Sequence, residues 1–294
     1  MNRRRFLAGI VGGLVAADAG AALGQTPTLD SFAHPGWFAD PAWLGERLGG
    51  DNVSVIALTP AADFAAGHIP GAVQIDWPAL AVAETTESDL VAWQTAMEEL
   101  LANLGIKNGD TVVVYDGGTF WAARMWWVLY ALGHDDVRIL DGGLPAWSAA
   151  GGAVEQGAPV AEPATESYRG ELRMPAVATI NQVEGAVESG DVRFIDARSA
   201  GEFAGGHIPG AVNVPFADNA MEGDIKFWKS PQDLALLYRP ADLTADQQII
   251  PYCSSGVRSA VTYFTLRQMG YDNVALFTGS FDEWVSDPSR PVER

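Results

Sequence analysis

The chain has 294 residues, 48% of them hydrophobic and ten of them tryptophan, which suffices for two domains with packed cores and excludes a disordered chain. Its formal charge is −19, and because three arginines and one aspartate lie in the first 24 residues, the remainder carries −21. A surface that acidic repels nucleic acid and anionic membrane, and it obliges an anionic substrate to find a local positive site.

The first element is a targeting segment. Arg3-Arg4-Arg5-Phe6-Leu7 is basic, Ala8 to Ala17 is mostly apolar and small, and Ala22-Leu23-Gly24 offers a cleavage site before Gln25. Arg-Arg-x-Phe-Leu resembles a twin-arginine export signal. The expectation is a signal peptide over residues 1–24 and a bacterial periplasmic protein. The apolar run is too short to span a bilayer, so no stable membrane association is expected.

Next, Val53 to Leu58 reads as a strand rich in β-branched residues. Gly67-His68-Ile69-Pro70-Gly71 follows as a turn back into the sheet. Leu90, Trp93, Met97, Leu100, Leu101 and Leu104 recur at helical spacing and stop before Gly105. Thr111 to Tyr115 is a buried-type strand, Phe120 to Leu132 an apolar helix and Val137 to Leu140 another strand. The proline- and glycine-bearing stretch after residue 150 reads as a linker, placed at 156–175. Beyond it come strands at Phe194-Ile195-Asp196, Val212-Asn213-Val214, Gln248 to Tyr252 and Val274 to Phe277, with a helix over Ser259 to Met269.

These two sets of elements are one set repeated. Asp63 to Val73 recurs as Glu202 to Val212 at an offset of 139, and Thr111 to Tyr115, Gly133 and Trp147 recur as Gln248 to Tyr252, Gly270 and Trp284 at 137. A period this long means two tandem domains, 25–155 and 176–294. Alternating strands and helices make each an α/β unit, a mainly parallel sheet flanked by helices.

Cys253, the chain's single cysteine, opens the loop between the strand ending at Tyr252 and the following helix. A free thiol in an oxidising compartment needs a reason, and catalysis supplies one. Ser254, Ser255, Gly256, Val257 and Arg258 can curl their N–H groups into an anion nest, and the helix start adds positive partial charge; both favour thiolate, the nucleophile. Gly256 is expected at positive φ. Arg258 is read either as the fork that binds the donor anion or as one arm of an internal salt bridge. Asp196 and Arg198 are expected to brace the neighbouring loop, and His207 to be structural. The sequence leaves open where Lys226 and Lys229 lie relative to the cleft. The four histidines form no recognised ligand spacing, so no metal and no organic cofactor is expected.

Ile195-Asp196-Ala197-Arg198, Gly206 to Ala211, the loop Cys253 to Arg258, Gly279 to Trp284 and, in the first half, Asp141 to Trp147 together resemble the rhodanese family in its tandem form. The resemblance implies two rhodanese-like domains and sulfur transfer through a Cys253 persulfide, from a small anionic donor to cyanide or a thiol, with a protein acceptor as one option. Among donors, Glu202 stands where tandem members tend to carry arginine, which favours thiosulfate over 3-mercaptopyruvate. In the first half Asp116 replaces the cysteine, and Asp196 and Arg198 fall at Leu58 and Pro60, so that half is expected to be catalytically inactive. The rival readings are a cysteine phosphatase or arsenate reductase, which place one more residue between cysteine and arginine than the four here, and a sulfur carrier or redox sensor without turnover.

Overall fold

The computed structural model describes residues 28–158, 163 and 166–294. The signal expected at 1–24 and part of the linker expected at 156–175 lie outside the described residues. In the first half, β1 (Phe38–Ala39), β2 (Val53–Leu58), β3 (Val73–Ile75), β4 (Thr111–Tyr115) and β5 (Val137–Leu140) form one parallel sheet in the order β1-β5-β4-β2-β3. Val112 to Tyr115 are all buried, as befits a central strand covered on both faces. The helix Glu87–Asn103 covers one face with Leu90, Trp93, Met97 and Leu101, capped by the Thr86 hydroxyl, which accepts the Asp89 N–H. Gly105, at φ +80°, lets the chain leave that helix.

The second half has β6 (Arg193–Asp196), β7 (Val212–Asn213) and β8 (Ile249–Tyr252), in the parallel order β7-β6-β8. The strand expected at Val274 to Phe277 does not form; only single bridges, Ile249 with Val274 and Val177 with Leu276, continue the sheet there. Proline explains the gap. Ile249 N–H donates to the Asn273 carbonyl and Ala275 N–H to the Ile249 carbonyl, but the next donor in register is Pro251, which has no N–H. Its counterpart in the first half is Val114, and there the ladder with β5 runs on.

The register also corrects the alignment of the halves. Ile56 pairs with Val73 as Ile195 pairs with Val212, so Asp196 corresponds to Ala57 and Arg198 to Thr59, not to Leu58 and Pro60. The acid–base pair is absent from the first half on either alignment.

The helices that follow the two loops begin and end within two residues of expectation, at Ala122–Ala131 and Val257–Gln268. They pack on each other across the halves, with Trp126 edge-on to Phe264 at 4.7 Å between ring centroids. Both are buried nearly all round, and one apolar core runs through both halves. The described end of the linker is tied down on the first half: Glu171 and Arg173 N–H groups donate to the Leu132 and Ala131 carbonyls at 2.9 and 2.7 Å. No helix among the described residues is long and apolar enough to cross a membrane.

Candidate active site at Cys253

Cys253 directly follows β8, at the carboxyl end of a parallel strand, and is only 1% exposed. Its sulfur accepts the Gly256 N–H at 3.2 Å and faces the Ser259 hydroxyl at 3.5 Å. The helix starts at Val257, two residues earlier than expected, so Val257 and Arg258 belong to its first turn and Ser254 to Gly256 alone form the loop. Gly256 sits at φ +84°, and a Cβ there would come 2.4 Å from the Thr278 carbonyl oxygen, so both conformation and space require glycine.

Two further residues shape the loop from outside it. The Ser280 hydroxyl accepts the Cys253 N–H at 3.1 Å and donates to the Phe277 carbonyl. Ser280 itself is held at φ +60°, an unusual conformation for a residue with a side chain, whereas Gly143 adopts φ +58° at the corresponding place in the first half. The second half therefore bears on the order of 1 kcal/mol of backbone strain to have that hydroxyl under the cysteine. Phe281 N–H donates to the Cys253 carbonyl, anchoring the loop to the helix Ser280–Trp284.

The first half displays the same loop with its anion built in. The Asp116 carboxylate accepts N–H bonds from Gly118 at 2.6 Å, Thr119 at 2.9 Å and Ala122 at 2.8 Å. Thr119 and Ala122 correspond to Gly256 and Ser259, the two residues whose donors face the Cys253 sulfur. Burial raises the Asp116 carboxyl above its ordinary value and the amides pull it back; every partner is a donor, which suits the ionised form. The loop is thus an anion cradle in both halves, filled by a carboxylate in one and presented to a sulfur in the other.

Arg258 places both terminal nitrogens on Glu202, at 2.9 and 2.8 Å, and one on the Ser254 hydroxyl at 2.7 Å. Of the two readings of Arg258, the salt bridge is the one this structure displays. The Arg258 guanidinium holds the Glu202 carboxyl well below the usual carboxylate range. Asp196 and Arg198 form a buried bidentate pair; Arg198 also donates to the Gly206 carbonyl at 2.7 Å and lies 4.0 Å over the Phe281 ring. The pair thereby links the end of β6 to the Gly-His-Ile-Pro-Gly turn and to the helix that holds Cys253. His207 stacks on Phe203 at 3.8 Å, with Nδ1 3.0 Å from the Phe203 carbonyl, as His68 does on Phe64. Lys226 and Lys229 lie beside the other loop, lining a cavity of about 290 Å³ with Gly118, Thr119 and Phe120.

Comparison with known proteins agrees with this geometry. Residues 40–150 and again 179–287 match the model of the rhodanese-like domain. The chain belongs to the rhodanese family. This rhodanese is 32% identical over 290 residues to thiosulfate/3-mercaptopyruvate sulfurtransferase 2 of Arabidopsis thaliana, covering 85% of this chain and 84% of that one. It is 33% identical over 265 residues to a thiosulfate sulfurtransferase of Pseudomonas aeruginosa, covering 86% and 96%. A crystal structure of an Escherichia coli 3-mercaptopyruvate sulfotransferase superposes with a TM-score of 0.72 at 29% identity, over 84% of this chain and 99% of the other.

Sequence reasoning had singled out the cysteine loop of this rhodanese, but it missed Ser259, Ser280, Thr278 and Arg124. For Arg124 a signal existed: it is the one charged residue in the otherwise apolar helix Ala122–Ala131.

Proposed function

We propose that this rhodanese is a sulfurtransferase that carries sulfane sulfur on Cys253, taking it from thiosulfate by preference and giving it to cyanide or a thiolate. The thiolate attacks the outer sulfur of thiosulfate; the new S–S bond forms as the old one breaks, and sulfite leaves with the bonding pair. The persulfide's terminal sulfur carries the negative charge, within reach of the donors that face Sγ. An acceptor anion then attacks that sulfur, and its bond to Cys253 breaks to return the thiolate. Division at a covalent intermediate implies ping-pong kinetics, and preorganised N–H and O–H donors stabilise the charge at each stage.

The observation that carries this reading is the pair of equivalent cradles, one grasping a carboxylate and one donating to the Cys253 sulfur at 3.2 Å. The four residues between Cys253 and Arg258, and the closure of Arg258 on Glu202, argue against a phosphoryl cradle. Ser254, Ser255, Gly256 and Val257 shape the cradle in this proposal, Arg258 guards it, and Asp196 and Arg198 support it. Export through the twin-arginine route to the periplasm belongs to the same proposal and rests on Arg3 to Leu7 and the small-residue run after it.

Steady-state assays test the reading. Thiocyanate formation from thiosulfate and cyanide should be ping-pong and should vanish in Cys253→Ser. Faster hydrolysis of an aryl phosphate than formation of thiocyanate would overturn it.

A further inference from the structure

Arg124 is a costly side chain to keep where it is. It is 0% exposed, and its Nε is buried without a hydrogen-bond partner. Among the described residues no carboxylate lies within ion-pair distance of it. Its terminal nitrogens donate to two neutral oxygens, the Thr278 hydroxyl at 2.8 Å and the Leu80 carbonyl, while its face lies 4.8 Å over the Trp127 ring. Burying a guanidinium without an anion is strongly unfavourable unless something else balances the charge.

Comparing the halves shows what stands in the carboxylate's place. At the 137-residue offset, Thr278 corresponds to Asp141 and Arg124 to Val261. The half with the nucleophile therefore has a hydroxyl where its twin has an acid, and it receives a cation from across the interface. Thr278 is also the residue against which Gly256 packs, the Gly256 that donates to the Cys253 sulfur. The chain of contacts runs Arg124, Thr278, Gly256, Cys253, and each of these is buried.

We infer that Arg124, supplied by the half without a nucleophile, is a positioning residue for the Cys253 chemistry: through Thr278 it fixes the cradle, and its uncompensated charge favours the thiolate and persulfide anions over the neutral thiol. Burial lowers the guanidinium to about 10, still charged at neutral pH, and its electrostatic interaction with Cys253 opposes that lowering. Other ionisable groups on the elements around Cys253 are partnered or turned outward. Arg258, on the same helix, is tied to Glu202, although it too interacts with the Cys253 sulfur. Arg198 and Asp196, at β6, satisfy each other. On the helix Ser280–Trp284, Glu283 is bound to Thr85 and Asp282 is exposed. Tyr252, which precedes the cysteine, is raised by burial and stays neutral.

The inference rests on Cys253 being the proposed nucleophile. Alkylation of the wild-type thiol by iodoacetamide across pH, with persulfide loading measured alongside, tests that premise separately. In Arg124→Gln, which keeps a polar side chain but no charge, the alkylation profile should move upward by on the order of half a pH unit or more. The rate near neutrality and kcat with thiosulfate should then fall roughly threefold or more. Arg124→Lys, which retains charge, should recover most of the profile. Should Arg124→Gln not fold, Thr278→Asp carries the test: it pairs the guanidinium, as Asp141's place in the twin half shows the backbone can accommodate, and the profile should again move upward with the melting temperature maintained. An unchanged profile in a folded Arg124→Gln or Thr278→Asp, or equal shifts in the Gln and Lys variants, would overturn the inference.

Discussion

Under the proposed sulfur transfer, Glu202 sets the terms on which a donor anion meets Arg258. Its carboxylate occupies the Arg258 fork that a donor anion would otherwise use, so a donor must compete with an internal partner. Glu202 is also the third residue of a capping box with Ser199, a role that glutamine performs equally well. Glu202→Gln should therefore leave the helix Ala200–Gly205 intact and lower KM for thiosulfate by about twofold to fivefold, the size of a half-exposed ion pair, with a smaller change in kcat. Steady-state kinetics at fixed cyanide read this directly. An unchanged KM would mean that the donor does not meet Arg258.

Each half clamps its Gly-His-Ile-Pro-Gly turn with the tyrosine that ends the strand before its cradle loop. The Tyr115 hydroxyl accepts the Ile69 N–H and the Tyr252 hydroxyl accepts the Ile208 N–H, both at 3.1 Å. Replacing either by phenylalanine leaves a buried N–H unpaired, at a cost of about 1–3 kcal/mol in stability measured by denaturant unfolding. Tyr252→Phe should also slow sulfur transfer, because it loosens the strand end that carries Cys253, whereas Tyr115→Phe should not.

At the scale of elements, the repeat made most of the fold legible. Apolar periodicity and β-branched runs set the helices and strands, and the duplicated turn showed that there were two domains. What escaped has a physical reason in each case. The missing last strand hung on a single absent N–H at Pro251, which composition alone does not weigh. Asp196 and Arg198 are no such case: they correspond to Ala57 and Thr59 both by the turn's offset of 139 and by strand register, so that match was present in the sequence. Cys253, Gly256 and Arg258 could be read because they are contiguous; Ser280, Thr278 and Arg124 reach the loop from other elements, and spacing does not encode such contacts.

The two halves act as one body because buried polar groups bond across them. Arg124 of the first half donates to Thr278, and Asp141, also of the first half, accepts the Trp228 N–H at 3.2 Å. Burial pushes the Asp141 carboxyl up to about 7 from 3.8. Between those values the folded chain holds a proton that the unfolded chain has released, so Asp141 makes stability fall as pH rises from about 4 to about 7, with no further loss above. Asp141→Asn keeps an acceptor for Trp228 and removes the titration. Its melting temperature relative to wild type should therefore rise across that window and then level off; a constant difference would show that Asp141 does not titrate there.

On this account a half without a nucleophile and a half with one form a single sulfur-carrying site at Cys253. The most direct test is intact mass after thiosulfate treatment, followed by peptide mapping. The account predicts one added sulfur per chain, located on Cys253, discharged by cyanide as thiocyanate and absent from Cys253→Ser. Wild-type protein that turns over thiosulfate and cyanide but never gains that sulfur, or that still gains it with Cys253 replaced, would contradict it.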